Sequence, residues 1–128
     1  MQMDSKLEIS LLYDFYKELL NDSQQQVVEL YVNDDLSLAE VAEILKISRQ
    51  GVRDSLNRAT KKLRDYESKL HLLSDYQTRY AATMRILDDV RAIKGLTDQP
   101  DIAGLCDNIT DNINNTIKRM EREDQHGV

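Results

Sequence analysis

Between Lys46 and Arg64 the chain gathers the side chains best suited to gripping a polyanion. Seven basic residues (Lys46, Arg49, Arg53, Arg58, Lys61, Lys62, Arg64) stand there beside one acid, Asp54. That segment carries +6 in a protein of formal net charge −6, which leaves −12 on the remainder. Overall attraction to nucleic acid is thereby excluded, whereas local attraction is not. Arginine forks onto guanine and glutamine onto adenine, each pair worth ~1–3 kcal/mol of discrimination. Arg49, Gln50 and Arg53 fall in the first two turns of a helix capped by Ser48, where base edges would be nearest. Asn57 shares the outer face. Arg58, Lys61 and Lys62 lie further along and suit phosphates, as does Ser48 through its hydroxyl or the helix N-terminus. Two residues oppose this reading. Gly51 loses ~1 kcal/mol of helix propensity against alanine, and Asp54 repels phosphate unless paired with Arg58 or Arg53.

Other chemistry finds little support. His71 and His126 are isolated, and metal-ligand spacing, a phosphate-cradling glycine loop and a nucleophile with a matched base are all missing from the sequence. No cofactor and no enzymatic activity are expected. Acid pairs such as Asp34-Asp35 and Asp88-Asp89 read as solvated helix ends and faces. The single cysteine, Cys106, excludes an intrachain disulfide and reads as a buried thiol. No stretch is apolar enough to span a membrane and the N-terminus lacks the apolar core of a signal peptide, so a cytoplasmic location is expected.

The elements that hold the basic helix follow from apolar spacing and caps. Residues 1–4 are expected to be disordered. Leu12, Phe15 and Leu19, widened by Leu11, Tyr16 and Leu20, predict a helix from about Leu7 to Leu20. Ser23 with Gln26 matches a capping box, Val27, Val28, Leu30 and Tyr31 give a second apolar face, and Asn33-Asp34-Asp35 ends it. Ser37 and Glu40 repeat the box, with Leu36 and Val41 as its apolar staple. Val41, Ala42, Ile44 and Leu45 point to a core. Lys46 and Ile47 make a turn, then Ser48 caps the next helix, with Ile47 and Val52 as staple. Two capped helices in this order form a helix-turn-helix, which offers its second helix to the major groove.

Val52, Leu56, Ala59, Leu63, Tyr66, Leu70 and Leu73 continue at alternating gaps of four and three, a heptad seam. The helix is expected to break near Leu73 to Asp75, with Ser74-Asp75 as cap, rather than run on as one rod. Tyr76, Tyr80, Thr83, Leu87 and Val90 line the next face. Gly95 ends that helix and Pro100 opens the last, in which Ile102, Leu105, Ile109, Ile113, Ile117 and Met120 form a stripe. Glu121 to Val128 reads as a polar tail. The expected architecture is all-α: residues 1–73 a helix-turn-helix domain, residues 74–128 a helical extension. The seam serves either self-association or packing on the chain's own helices. In the first case Leu70, Leu73, Tyr80 and Leu87 would form the contact of a homodimer.

Several separate blocks fall in one order: Tyr13 to Leu20, Glu29-Leu30-Tyr31, Asp34 to Glu40, Ile47-Ser48-Arg49-Gln50, and Tyr66 to His71. In them the chain resembles the YlxM family of bacterial helix-turn-helix proteins, whose module is similar to region four of sigma factors, the promoter-reading part. The resemblance covers about half the chain and fades from about Gln77. It departs at Gly51, where the family leads one to expect alanine, and at Arg53, where tyrosine is expected. The family's genes lie beside those of the signal recognition particle GTPases, which implies a regulatory role in that targeting pathway. Two functions are therefore expected in competition: a homodimeric DNA-binding regulator, or an adaptor contacting the particle's GTPase or RNA without reading DNA sequence. No catalytic residues come with the resemblance.

Overall fold

The computed structural model describes the backbone of residues 2–125 and the side chains of residues 6–121. The described residues form helices and turns with no strand, an all-α fold. They divide into two compact units that meet in sequence between Leu73 and Ser74.

The first unit opens with α1 (Gln2–Tyr16), already helical where the first residues were expected to lack structure. Ile9, Leu12, Tyr13 and Tyr16 recur on one face and are buried. The helix tightens into a 3-10 turn at Lys17–Leu19, which rotates Leu19 outward, 47% exposed, and turns Leu20 inward. The expected stripe through Phe15 and Leu19 is thus displaced. α2 (Asp22–Val28) starts two residues earlier than expected, because Asn21 and not Ser23 is its cap. The Gln24 N–H donates to Asn21 Oδ1 at 2.8 Å, and the Asn21 N–H to Gln24 Oε1 at 3.2 Å. A π turn at Glu29–Asn33 widens the end of this segment, closed by the Asp34 N–H on the Glu29 carbonyl at 2.9 Å.

α3 (Leu38–Leu45) carries the expected capping box. Glu40 N–H donates to Ser37 Oγ at 3.1 Å, and Ser37 N–H to Glu40 Oε1 at 3.0 Å. These bonds hold the Glu40 carboxyl below its ordinary pKa. Val41 and Ala42 are buried and Leu45 packs at the core's edge. Ile44, expected inside, is 55% exposed. At about 100° per residue Ile44 falls roughly 60° outside the arc through Leu38, Val41, Ala42 and Leu45.

α4 (Arg49–Leu70) buries Val52, Leu56, Ala59 and Leu63. It ends at His71, a left-handed residue with φ 58°, and α5 (Leu72–Leu96) begins at once. The break therefore precedes the expected Leu73 to Asp75, and Ser74 is not its cap. A lock from α1 sets the position. Tyr16 Oη donates to Glu67 Oε1 at 2.6 Å and accepts the Leu72 N–H at 3.1 Å, while the Leu73 N–H reaches the same carboxylate oxygen at 3.0 Å. Donors at the start of α5 are thus satisfied across 50-odd residues of sequence. Leu73 folds back into the core of this unit at 8% exposure.

In the second unit α5 runs through Gly95, the expected stop, to Leu96, and α6 (Pro100–Gln125) continues past Glu121. His126 and the end of the expected tail lie outside the described residues. Three residues join the two helices, and Lys94 Nζ meets Asp107 Oδ1 at 2.6 Å beside the connection. Leu87, Val90 and Cys106 are buried. Ile102, Ile113, Ile117 and Met120 are half-buried, whereas Leu105 and Ile109, expected on the same stripe, are exposed.

Candidate nucleic-acid interface

The turn between α3 and α4 fixes where the basic helix starts. Lys46 takes φ 58° and its N–H, like that of Ile47, bonds to the Ala42 carbonyl. Ser48 is extended, and its Oγ accepts the Gly51 N–H at 2.9 Å. With Val52, Leu56, Ala59 and Leu63 held inward, every candidate from Ser48 to Lys62 is exposed.

They are not equivalent. Arg49, Arg53, Asn57, Arg58 and Lys61 make no hydrogen bond or ion pair among the described residues. Gln50 does: its Nε2 donates to Asp54 Oδ1 at 2.9 Å, one turn along. Asp54 thus takes the glutamine and neither of the arginines expected as its partner. Lys62 leans toward the buried Gln24, Nζ to Oε1 at 3.4 Å, and Arg64 pairs with Glu8 at 2.8 Å. Around the helix Gln50, Asn57 and Lys61 face outward, with Arg58 and Lys62 on one flank and Arg53 on the other.

The placement of the unpaired cations works against folding. Arg49 and Arg53 are like charges at i and i+4, as are Arg58 and Lys62, each arrangement costing about 0.2–0.5 kcal/mol. Arg49 also stands in the first turn, at the positive end of the helix dipole. An anion at this face would relieve both.

Arg53 and Asn57 also border a groove of about 600 Å³ between α1, the π turn and α4. Thr60 and Arg64 continue the same line at gaps of three and four, and Lys6 closes the far side. Lys6 Nζ is 2.6 Å from Asp35 Oδ1 and 4.4 Å from the Tyr31 ring centroid. This bond and the ammonium charge lower the Asp35 carboxyl pKa. Sequence reading missed the groove, since Lys6 lies outside the motif. The 53-57-60-64 spacing was the available signal.

Of the residues expected at a dimer contact, Leu73 and Leu87 are enclosed by the chain itself, at 8% and 1% exposure. Leu70 and Tyr80 remain accessible, Tyr80 stacking on Tyr76 with ring centroids 6.1 Å apart. Among the described residues no group of acidic, histidine and cysteine side chains could hold a metal, and no helix is long and apolar enough to cross a membrane.

The sequence profile of the family described as UPF0122, "Putative helix-turn-helix protein, YlxM / p13 like", matches residues 3–103. The chain belongs to this family. A UPF0122 protein of Clostridium botulinum is 41% identical over 97 residues, covering 76% of this chain and 89% of the relative. A UPF0122 protein of Streptococcus pneumoniae is also 41% identical, over 108 residues, 84% of this chain and 98% of its own. The family therefore extends well past Gln77, through α5 and into α6, further than the motif blocks alone indicated. Within the matched residues, α3, the Lys46–Ser48 turn and α4 have the order of a helix-turn-helix.

Proposed function

We propose that this UPF0122 protein is a non-enzymatic, DNA-binding regulatory protein that acts as a homodimer in the cytoplasm. The observation that carries the reading is the set of four exposed cations on α4, Arg49, Arg53, Arg58 and Lys61, none of them neutralised among the described residues. The chain has acid to spare for pairing them, 23 acids against 17 bases. Arg49 and Arg53 would address base edges. Gln50 joins them on releasing Asp54. Arg58 and Lys61 would meet phosphates, and Lys62, already drawn toward Gln24, would contribute less. The tie of related genes to the signal recognition particle makes that targeting pathway the first place to look for regulated targets.

Selection from a random duplex pool, followed by anisotropy titration across salt, tests this. Arg49→Ala with Arg53→Ala should flatten sequence preference. Arg58→Ala with Lys61→Ala should weaken all duplexes alike and reduce the salt slope by about two. No enrichment at low salt, together with capture of the particle's RNA or GTPase, would replace this reading with that of an adaptor.

A further inference from the structure

We propose that the groove between α1, the π turn and α4 is a binding site for a small organic anion, its carboxylate or phosphate head held by Arg53 and its apolar body lying on Ile9, Leu38 and Leu56. At about 600 Å³ the groove falls within the size range of small-molecule sites. Its lining combines an apolar floor with polar groups on both sides, the row on α4 and, opposite, Lys6 and Asp35. Charge on these sides is unevenly spent. Lys6 is matched by Asp35 and Arg64 by Glu8. Arg53 has no counter-ion among the described residues, and neither the Asn57 amide nor the Thr60 hydroxyl is engaged there. Among the described residues one surplus positive charge thus remains, flanked by an amide one turn on and a hydroxyl two turns on. A guanidinium binds a planar carboxylate or a phosphate through two parallel bonds, a geometry lysine does not offer. On the opposite wall Lys6 pairs with Asp35 at 2.6 Å and lies over the Tyr31 ring.

The site has a consequence for the proposed reader. Arg53 cannot hold a ligand head and a base edge together, so the anion and DNA would exclude each other. Binding of the anion does not depend on the DNA reading; only the competition does.

The test is a nitrogen-15 amide titration of the full chain with benzoate and, separately, adenosine monophosphate, with sodium chloride at matched ionic strength as control. The expected result is saturable shifts confined to groove residues such as Ile9, Tyr31, Leu38, Asn57 and Thr60, with a dissociation constant of about 1 mM or tighter for at least one probe. Saturation by benzoate alone assigns a carboxylate head, and by the nucleotide alone a phosphate head. Arg53→Gln, an exposed change that leaves the core intact, should weaken binding by roughly tenfold or more. Thr60→Trp should fill the cleft and abolish it at unchanged melting temperature. Shifts reproduced by chloride, shifts scattered over the surface, or affinity indifferent to Arg53→Gln would overturn the site. Saturation by a probe in a protein that ignores duplexes would uphold the site and remove the competition.

Discussion

At the scale of single residues, the helix-turn-helix is tuned at positions where backbone geometry and side chain disagree. Lys46 holds φ 58° although it is not glycine, a conformation that costs an L-residue about 1–2 kcal/mol. Lys46→Gly should raise stability toward urea by up to ~1 kcal/mol, offset by the greater freedom of glycine in the unfolded chain. Gly51 presents the reverse case. A methyl there would stand 3.2 Å from Ser48 Oγ and 3.7 Å from Ile47 Cδ1. The exposed hydroxyl can shift by a few tenths of an ångström, so propensity should win and Gly51→Ala should stabilise by somewhat less than ~1 kcal/mol. An urea midpoint that falls would mean the cap cannot move. Tyr13 supplies a pH signature. Burial, with Glu29, Glu18 and Asp14 nearby, pushes its phenol up to about 12. A raised folded pKa contributes stability that is complete below the unfolded value near 10 and is lost as pH rises toward 12, because the unfolded chain sheds its proton first. Tyr13→Phe should therefore lose stability less steeply than the parent between pH 10 and 12 in thermal melts.

Among the elements, the junction of α4 and α5 depends most on a distant partner. Glu67 and Tyr16 together cap the start of α5, and both oxygens are part-buried. Removing one hydroxyl leaves the Leu72 N–H without its acceptor, which costs about 1–3 kcal/mol. Tyr16→Phe and Glu67→Gln should each lower the unfolding free energy by that order, and the double variant should lose less than the two losses added, since both changes act on one network. Full additivity would mean the groups act separately. The same junction marks the limit of what the sequence disclosed. Local signals were legible: the Ser37–Glu40 box, the Ser48 cap, the inward row from Val52 to Leu63, and Pro100 as a helix start all stand as read. Signals requiring a partner far along the chain were not. Ser74 looked like a cap because Tyr16, 58 positions away, is invisible to a local pattern. Ser23 lost to Asn21 because both offered a cap-x-x-Gln spacing and only the entering backbone chooses between them. The exposed basic row of α4 was legible by type, but its pairing was not: nothing in the spacing ranked Gln50 over the arginines as the partner of Asp54, or set Lys62 beside Gln24.

For the whole molecule, the homodimer in the proposed function needs a contact, and of the four residues expected there, Leu70, Leu73, Tyr80 and Leu87, the second and fourth are buried by the chain's own packing. The second unit offers another. Ile86 and Leu105 each directly precede a buried residue, Leu87 and Cys106, and Ile93 and Ile109 lie two turns and one turn further on the same sides of α5 and α6. Because a three-residue connection turns α6 back along α5, equal rotation from the buried seam on both helices brings these side chains to one face of the hairpin. They are 42–62% exposed, and Leu96 near the connection is 88% exposed. Among the described residues past Leu73, the 25- and 26-residue helices α5 and α6 bury only Leu87, Val90 and Cys106, which leaves apolar surface unspent. Self-pairing about a two-fold axis would cover such a patch with its own copy and supply the contact that the proposed homodimer needs. Light scattering should accordingly give twice the 14.8 kDa chain mass at about 100 µM. Ile93→Glu with Leu105→Glu should give the monomer with helical content intact, since both positions already face solvent. The monomer should also bind a two-half-site duplex at least ~100-fold more weakly, while its affinity for a single half-site is unchanged. A parent chain that scatters as a monomer would remove the dimer from the proposal and leave α4 to act singly.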